Sequence, residues 1–328
     1  MELLQPQRFA MAELPAAKTF LEEHGYVVIR DVYTPEECDS FCARLKASID
    51  ALCPAAAAVP SLEQLAAGHL PPTDSNGLRS ALAQSPAMWG IRLHGPTQRL
   101  HRHLQGWDAD AELVVSLDKA VLQVGEPPTP SQSPKPWLHV DTRDPARSAL
   151  QGTAYLRDAS TEQHASLVVV PGSHRRHAEL LAAQLLTAQP GAKQRDYVVW
   201  DDVGSLAPVQ LALRQGDHVV WYSHTTHQGG TGRRTTKRKR GSSCPPLRRV
   251  AAMVSYALKA ERPEKVRRLK QAVAEEGGCT THWAAQCVKQ PLVNRWPRKV
   301  GPLSNGAVNH PLHLPLRPSL TPSALALL

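Results

Sequence analysis

At 328 residues, with 42% apolar and 20% charged side chains, the chain can bury a sizeable core and has the composition of a folded domain. No run of about 18 apolar residues exists, which excludes a membrane-spanning helix, and Met1 to Ala10 lacks the basic-then-apolar pattern of a secretory signal. The formal charge of +9 is concentrated between Arg233 and Arg249, where eight basic residues occur with no acid and no aromatic residue among them, so the near-neutral body does not read as nucleic-acid-binding.

Taken in order, residues 16 to 24 read as a short helix stopped by Gly25, and Tyr26 to Ile29 as a strand. Thr34-Pro35-Glu36-Glu37 carries the marks of a helix start, with Thr34 as N-cap, Pro35 at the first position and Glu37 completing a capping box. Cys38, Phe41, Leu45, Ile49 and Leu52 then follow at helical spacing and form one apolar face. Helical signals resume from Ser80 to Leu104, with Trp89 and Leu93 in the core. Leu113 to Val124 turns β-like, and Gly125 to Pro136, with its many prolines, reads as an irregular loop.

Further strands are expected at Ser148 to Leu156, Ala165 to Val170, His218 to Tyr222 and Val250 to Leu258. Arg175 to Ala188 is helix-like, and residues 261 to 276 read as a charged surface helix. The fold class expected is mainly β with flanking helices, around a double-stranded β-helix (jelly-roll, cupin-like) core whose interior holds a ligand. The domain expected is one unit over 1–300: a helical layer at 1–110, the jelly-roll core at about 111–260 and a C-terminal helix in 261–300. A basic loop insertion at 233–246 and a disordered tail at 301–328 complete the division.

The chemistry centres on Trp137-Leu138-His139-Val140-Asp141. In an extended strand, residues two apart project from one face, so an imidazole and a carboxylate share one space. That pair suits Fe(II), which takes two His and one carboxylate on one face of an octahedron and keeps the opposite positions open. A third ligand is sought near a strand end, where His224 and His227 are candidates. His227, at the exit before Gly229-Gly230, is the better placed, and His224 reads as a supporting or packing residue. His164, His174 and His177 read as surface residues.

Open iron positions admit a bidentate 2-oxo acid and dioxygen, and the acid's far carboxylate then needs a fixed cation. Arginine's planar fork suits it. Arg249 opens the last strand, and Arg248 lies on the opposite face, so only one of the two points inward. Six scattered cysteines with no C-x-x-C pair read as reduced thiols in an intracellular protein.

The series from Trp137 to Asp141, Gln151-Gly152, Leu167 to Val170 with Pro171-Gly172-Ser173-His174, Gly216-Asp217 through His227, and Arg249 resembles the phytanoyl-CoA dioxygenase family. Trp89-Gly90-Ile91-Arg92 and Thr280-Thr281-His282-Trp283 fit the same resemblance. It implies that His139, Asp141 and His227 bind iron and that Arg249 binds the 2-oxoglutarate C5 carboxylate, with Gln151 and His224 in supporting positions.

The implied reaction uses O2, decarboxylates 2-oxoglutarate to succinate and CO2, and hydroxylates a small-molecule or acyl substrate. Two departures from the family pattern stand out. His227 and Arg249 are separated more widely than usual, the excess being the loop from Arg233 to Pro246, and position 224 is His where related chains often carry Arg. The run Lys237-Arg238-Lys239-Arg240 is compatible with attraction of an anionic or CoA-linked substrate, and with a nuclear address in an otherwise cytoplasmic protein. The rival reading is a catalytically inactive jelly-roll binding or scaffold protein, against which the intact set His139, Asp141, His227 and Arg249 argues.

Overall fold

The computed structural model describes residues 2–71, 73, 77–125, 137–144, 146–187, 197–200, 202–232, 247–290, 316–318 and 320–328. The basic loop at 233–246 and most of the proline-rich stretch Gly125 to Pro136 lie outside the described residues.

Two β-sheets face one another. The larger runs in the order Arg8–Phe9, Tyr26–Ile29, His218–Tyr222, Leu150–Tyr155, Leu247–Leu258, Ala120–Val124 and Leu78–Arg79, with Leu113–Val115 pairing beside Leu247–Leu258. The smaller runs Glu2–Leu4, Val209–Leu211, Leu167–Val169, His227–Gly229, His139–Val140 and Val198–Val199. Apart from the strands Glu2–Leu4 and Arg8–Phe9, which pair in parallel, the ladders are antiparallel. This is the double-stranded β-helix expected from the strand pattern.

Alternation sorts the side chains into layers. On Leu150–Tyr155, Leu150 and Ala154 pack outward with Ile49, Leu45 and Leu21 of the helical layer, whereas Tyr155 packs inward with Leu167, Trp221 and Ala251 between the sheets. Gly152 is fixed by this layering: a methyl there would lie 2.5 Å from the His218 Nε2 atom and 2.8 Å from that of His101. The smaller sheet is covered by the helix His177–Thr187, with Val140, Val168, Val170 and Leu180 buried together. The helix Pro35–Leu52 starts as expected, the Thr34 hydroxyl accepting from the Glu37 N–H and the Glu37 carboxylate from the Thr34 N–H.

Four expectations are corrected. The layer at 1–110 is not purely helical, because Glu2–Leu4, Arg8–Phe9, Tyr26–Ile29 and Leu78–Arg79 all join the sheets. Most are too short to show a period. The stretch 301–328 is not a tail throughout: Pro322–Ala326 is a helix capped by Thr321, and Ala324 and Leu328 pack with Trp89, Leu117 and Val273. The helix Glu264–Glu275 is not wholly a surface element, since Lys270 is 0% exposed and donates to the Val115 and Ala284 carbonyls. Burial pushes its ammonium down to about 7. His177 is buried, not superficial, and donates to the Thr142 carbonyl at 2.9 Å.

Beneath the larger sheet, His101 and His218 share a hydrogen bond at 3.2 Å, and Tyr33 meets the other nitrogen of His218 at 3.1 Å. Burial holds both imidazoles neutral, His101 down to about 3 and His218 well below its ordinary value. The unfolded chain takes up protons at these rings below about pH 6.5 while the fold does not, so stability is lost as pH falls from there toward 3. Each such ring removes up to about 1.4 kcal/mol per pH unit. Urea midpoints are therefore expected to drop between pH 7.5 and 5, and His101→Gln is expected to flatten that slope.

Candidate functional site

His139 and His227 stand opposite each other in adjacent antiparallel strands, register partners in the smaller sheet. Asp141 follows the strand His139–Val140, its N–H held by the Ser223 carbonyl at 3.1 Å. The potential ligand atoms of the three residues all lie within 4.8 Å of one another, and among the described residues no other such group of His, Cys, Asp and Glu occurs. The His227 Nε2 is 3.3 Å from Asp141 Oδ2, and the His139 Nε2 is 3.8 Å from Oδ1.

Both rings are fixed from behind by the chain itself. The His139 Nδ1 donates to the Trp137 carbonyl at 3.0 Å, and the His227 Nδ1 to the Thr225 carbonyl at 2.8 Å. Those protons select the tautomer whose Nε2 lone pair faces the cluster, as a metal requires. Burial, with His227 adding to it, pushes the His139 imidazole down to about 4, so it is neutral at pH 7. Burial by itself would raise the Asp141 carboxyl, but His282, His227 and His139 hold it well below the usual range, and it is ionised. Two imidazoles, each with its Nδ1 proton turned away to a carbonyl, and a carboxylate, all aimed at one point, fit Fe(II).

Gln151 projects inward from its strand and its amide donates to Asp141 Oδ2. His224 is elsewhere: it does not line the cavity, and its Nε2 donates to the Asp144 carbonyl at 3.1 Å, bracing with His177 the turn that follows Asp141.

The cluster opens into a cavity of about 480 Å³. Arg249 lines it, 5% exposed, with its guanidinium carbon 5.2 Å from the Tyr155 ring centroid and its buried Nε unpartnered. Arg248 is turned away and donates to the Thr231 carbonyl. An irregularity in register between Leu247 and Arg249 sets this choice.

Sequence reasoning missed the opposite wall, formed by Asp118, Trp137, Tyr197, His282, Trp283 and Val288. In the sequence, Thr280 to Trp283 carries only a resemblance. Its position comes from a hairpin of Cys279–Thr280 with Lys289–Gln290, and from Lys270 holding the Ala284 carbonyl.

A model of the phytanoyl-CoA dioxygenase (PhyH) family matches residues 21–241. Among solved structures, a hypothetical protein JW0805 from Escherichia coli is 14% identical over 84% of this chain and 77% of its own, with a TM-score of 0.50. The epimerase SnoN, crystallised with Fe3+, alpha ketoglutarate and nogalamycin RO, is 18% identical over 75% of this chain and 83% of its own, at 0.46. HygX from Streptomyces hygroscopicus is 15% identical over 74% and 86%, at 0.43. These likenesses concern the fold alone. No curated protein matches the chain. Among the described residues no helix is long and apolar enough to cross a membrane.

Proposed function

The chain belongs to the phytanoyl-CoA dioxygenase family of non-haem iron, 2-oxoglutarate-dependent enzymes, and from that premise we propose that it hydroxylates a small organic substrate at the site formed by His139, Asp141, His227 and Arg249. The observation that carries this is the joint presence, in one cavity, of three oriented ligands and a buried guanidinium. His139, Asp141 and His227 are assigned to the metal. When bound, Fe(II) supplies the oxidative chemistry, in which decarboxylation of 2-oxoglutarate to succinate and CO2 accompanies insertion of one atom of O2 into a substrate C–H bond.

The chain's own contribution is placement. Arg249, with its planar fork, offers a pair of N–H donors to the far carboxylate of the 2-oxo acid in the cavity that it lines. A hydrolase has no need of that cation. Residues 1–300 serve as one oxygenase domain in this reading. The assay is succinate formation from 2-oxoglutarate that depends on added Fe(II) and on air. Its absence with every metal-reconstituted preparation would count against the proposal.

Gln151 is assigned as a positioning residue, because its amide donates to the Asp141 carboxylate. Gln151→Ala is expected to weaken Fe(II) binding by about 10- to 100-fold, while leaving the 2-oxoglutarate affinity of the fully loaded protein nearly unchanged. Competition with a chelator reads the first quantity and calorimetry the second.

A further inference from the structure

The cavity has two ends, and the assignment above uses only one. Arg249 is deep, whereas Trp137 and Val288 are 37% and 47% exposed and mark the mouth. The lining also includes Asp118, His282 and Trp283, none of which belongs to the metal ligand set or to the 2-oxoglutarate site assigned above.

Two polar groups there lack partners. Asp118 is buried with a fixed carboxylate: Oδ1 accepts from the Lys119 N–H at 2.9 Å, and the backbone oxygen accepts from Arg92 at 2.8 Å. Its Oδ2 has no hydrogen-bond partner among the described residues. His282 lines the same cavity, and its buried Nε2 is also unpartnered. The buried His282 Nε2, left without a partner, costs stability unless something fills the site, and Asp118 lines the same cavity.

The surroundings say what kind of molecule does so. Trp137 lies stacked on the His139 ring at 4.1 Å, with Tyr197 at 6.4 Å from it, and Trp283 stands on the same wall. Flat aromatic faces favour another ring over a flexible chain. Lys119 acts electrostatically against Asp118, and the Arg147 charge is turned to the Trp283 ring 3.7 Å away while the guanidinium donates to Gln286. The volume is near the lower end of small-molecule sites, about 300–1,000 Å³, and is shared with the co-substrate.

We propose that the outer half of the cavity takes the prime substrate, a neutral fused-ring molecule that stacks on the Trp137 and Trp283 side and presents a hydroxyl group to Asp118 and His282. The hydroxyl donates to Asp118 Oδ2 and accepts from His282 Nε2. This rests on the reading that iron and 2-oxoglutarate occupy the inner half.

The test is anaerobic calorimetry on full-length protein loaded with Fe(II) and 2-oxoglutarate, with 2-naphthol, naphthalene, 1-decanol and coenzyme A as probes. 2-Naphthol is expected to bind about tenfold or more tighter than naphthalene, and tighter than 1-decanol or coenzyme A. Asp118→Asn and His282→Gln are expected to erase the advantage of 2-naphthol and leave naphthalene binding unchanged. Unchanged naphthalene binding also shows that each variant is folded.

No saturable binding of 2-naphthol, equal affinity for 2-naphthol and naphthalene, parallel weakening of both probes in the variants, or tighter binding of coenzyme A would each overturn the proposal. Absorbance of the same samples separates the two readings. A charge-transfer band without 2-naphthol binding sinks only this inference, and 2-naphthol binding without a band sinks only the iron assignment.

Discussion

Asp141→Ala is expected to reduce Fe(II) affinity by more than about a hundredfold, beyond what loss of a supporting group produces, and to bring iron-dependent succinate formation to background. Asp141 is the only anion in the three-residue group. Its removal leaves two imidazoles and no carboxylate to meet a dication, and strands the Gln151 amide. The fold is expected to survive, because the two rings are held by the Trp137 and Thr225 carbonyls and by strand pairing, none of which passes through the carboxylate. Circular dichroism confirms the fold and chelator competition reads the affinity. Unchanged iron affinity would place the metal elsewhere.

The second large effect is expected at Arg249. Truncating one partner of a buried, hydrogen-bonded charge pair costs about 2–5 kcal/mol, so Arg249→Leu is expected to raise the dissociation constant for 2-oxoglutarate by about 30-fold or more. Iron affinity should stay put, since Arg249 belongs to the other sheet and makes no contact in the ligand set. Arg249→Lys restores the charge without the fork and is expected to recover only part of the loss. Calorimetry with 2-oxoglutarate on the iron-loaded variants measures both. A dissociation constant within error of the wild type for Arg249→Leu would remove this residue from the co-substrate site.

The pair within the proposed ligand group was legible because its geometry is local. His139 and Asp141 lie two apart where the chain is extended, and His227 closes a strand just before Gly229-Gly230. What the sequence did not contain was the pairing of His227 with His139, which depends on a sheet assembled from distant segments. Arg249 was harder. Alternation alone leaves it level with Arg248, and the irregularity after Leu247, which turns Arg249 inward, has no mark in the residue types.

The wall opposite was legible only as residues that fit the resemblance, with no role attached to them. His282 and Trp283 reach the cavity through a two-residue strand pair and a lysine that anchors the Ala284 carbonyl, and Lys270 sits in a helix whose charge reads as solvated surface. Long-range backbone anchoring by a buried charge leaves no periodic trace. The same holds at both ends of the chain. Glu2–Leu4 gains its partner only at Val209–Leu211, and Leu328 packs at 1% exposure against a core that Trp89 and Val273 build.

The most direct test of the central claim is anaerobic titration of the protein with Fe(II) and then 2-oxoglutarate, monitored by visible absorbance. A metal-to-ligand charge-transfer band that saturates with 2-oxoglutarate, is lost in His139→Ala and requires higher 2-oxoglutarate in Arg249→Leu, is the result expected. A wild-type protein that binds Fe(II) and 2-oxoglutarate in the cavity without the band, or binds neither, would contradict the assignment of His139, Asp141, His227 and Arg249 to one catalytic centre.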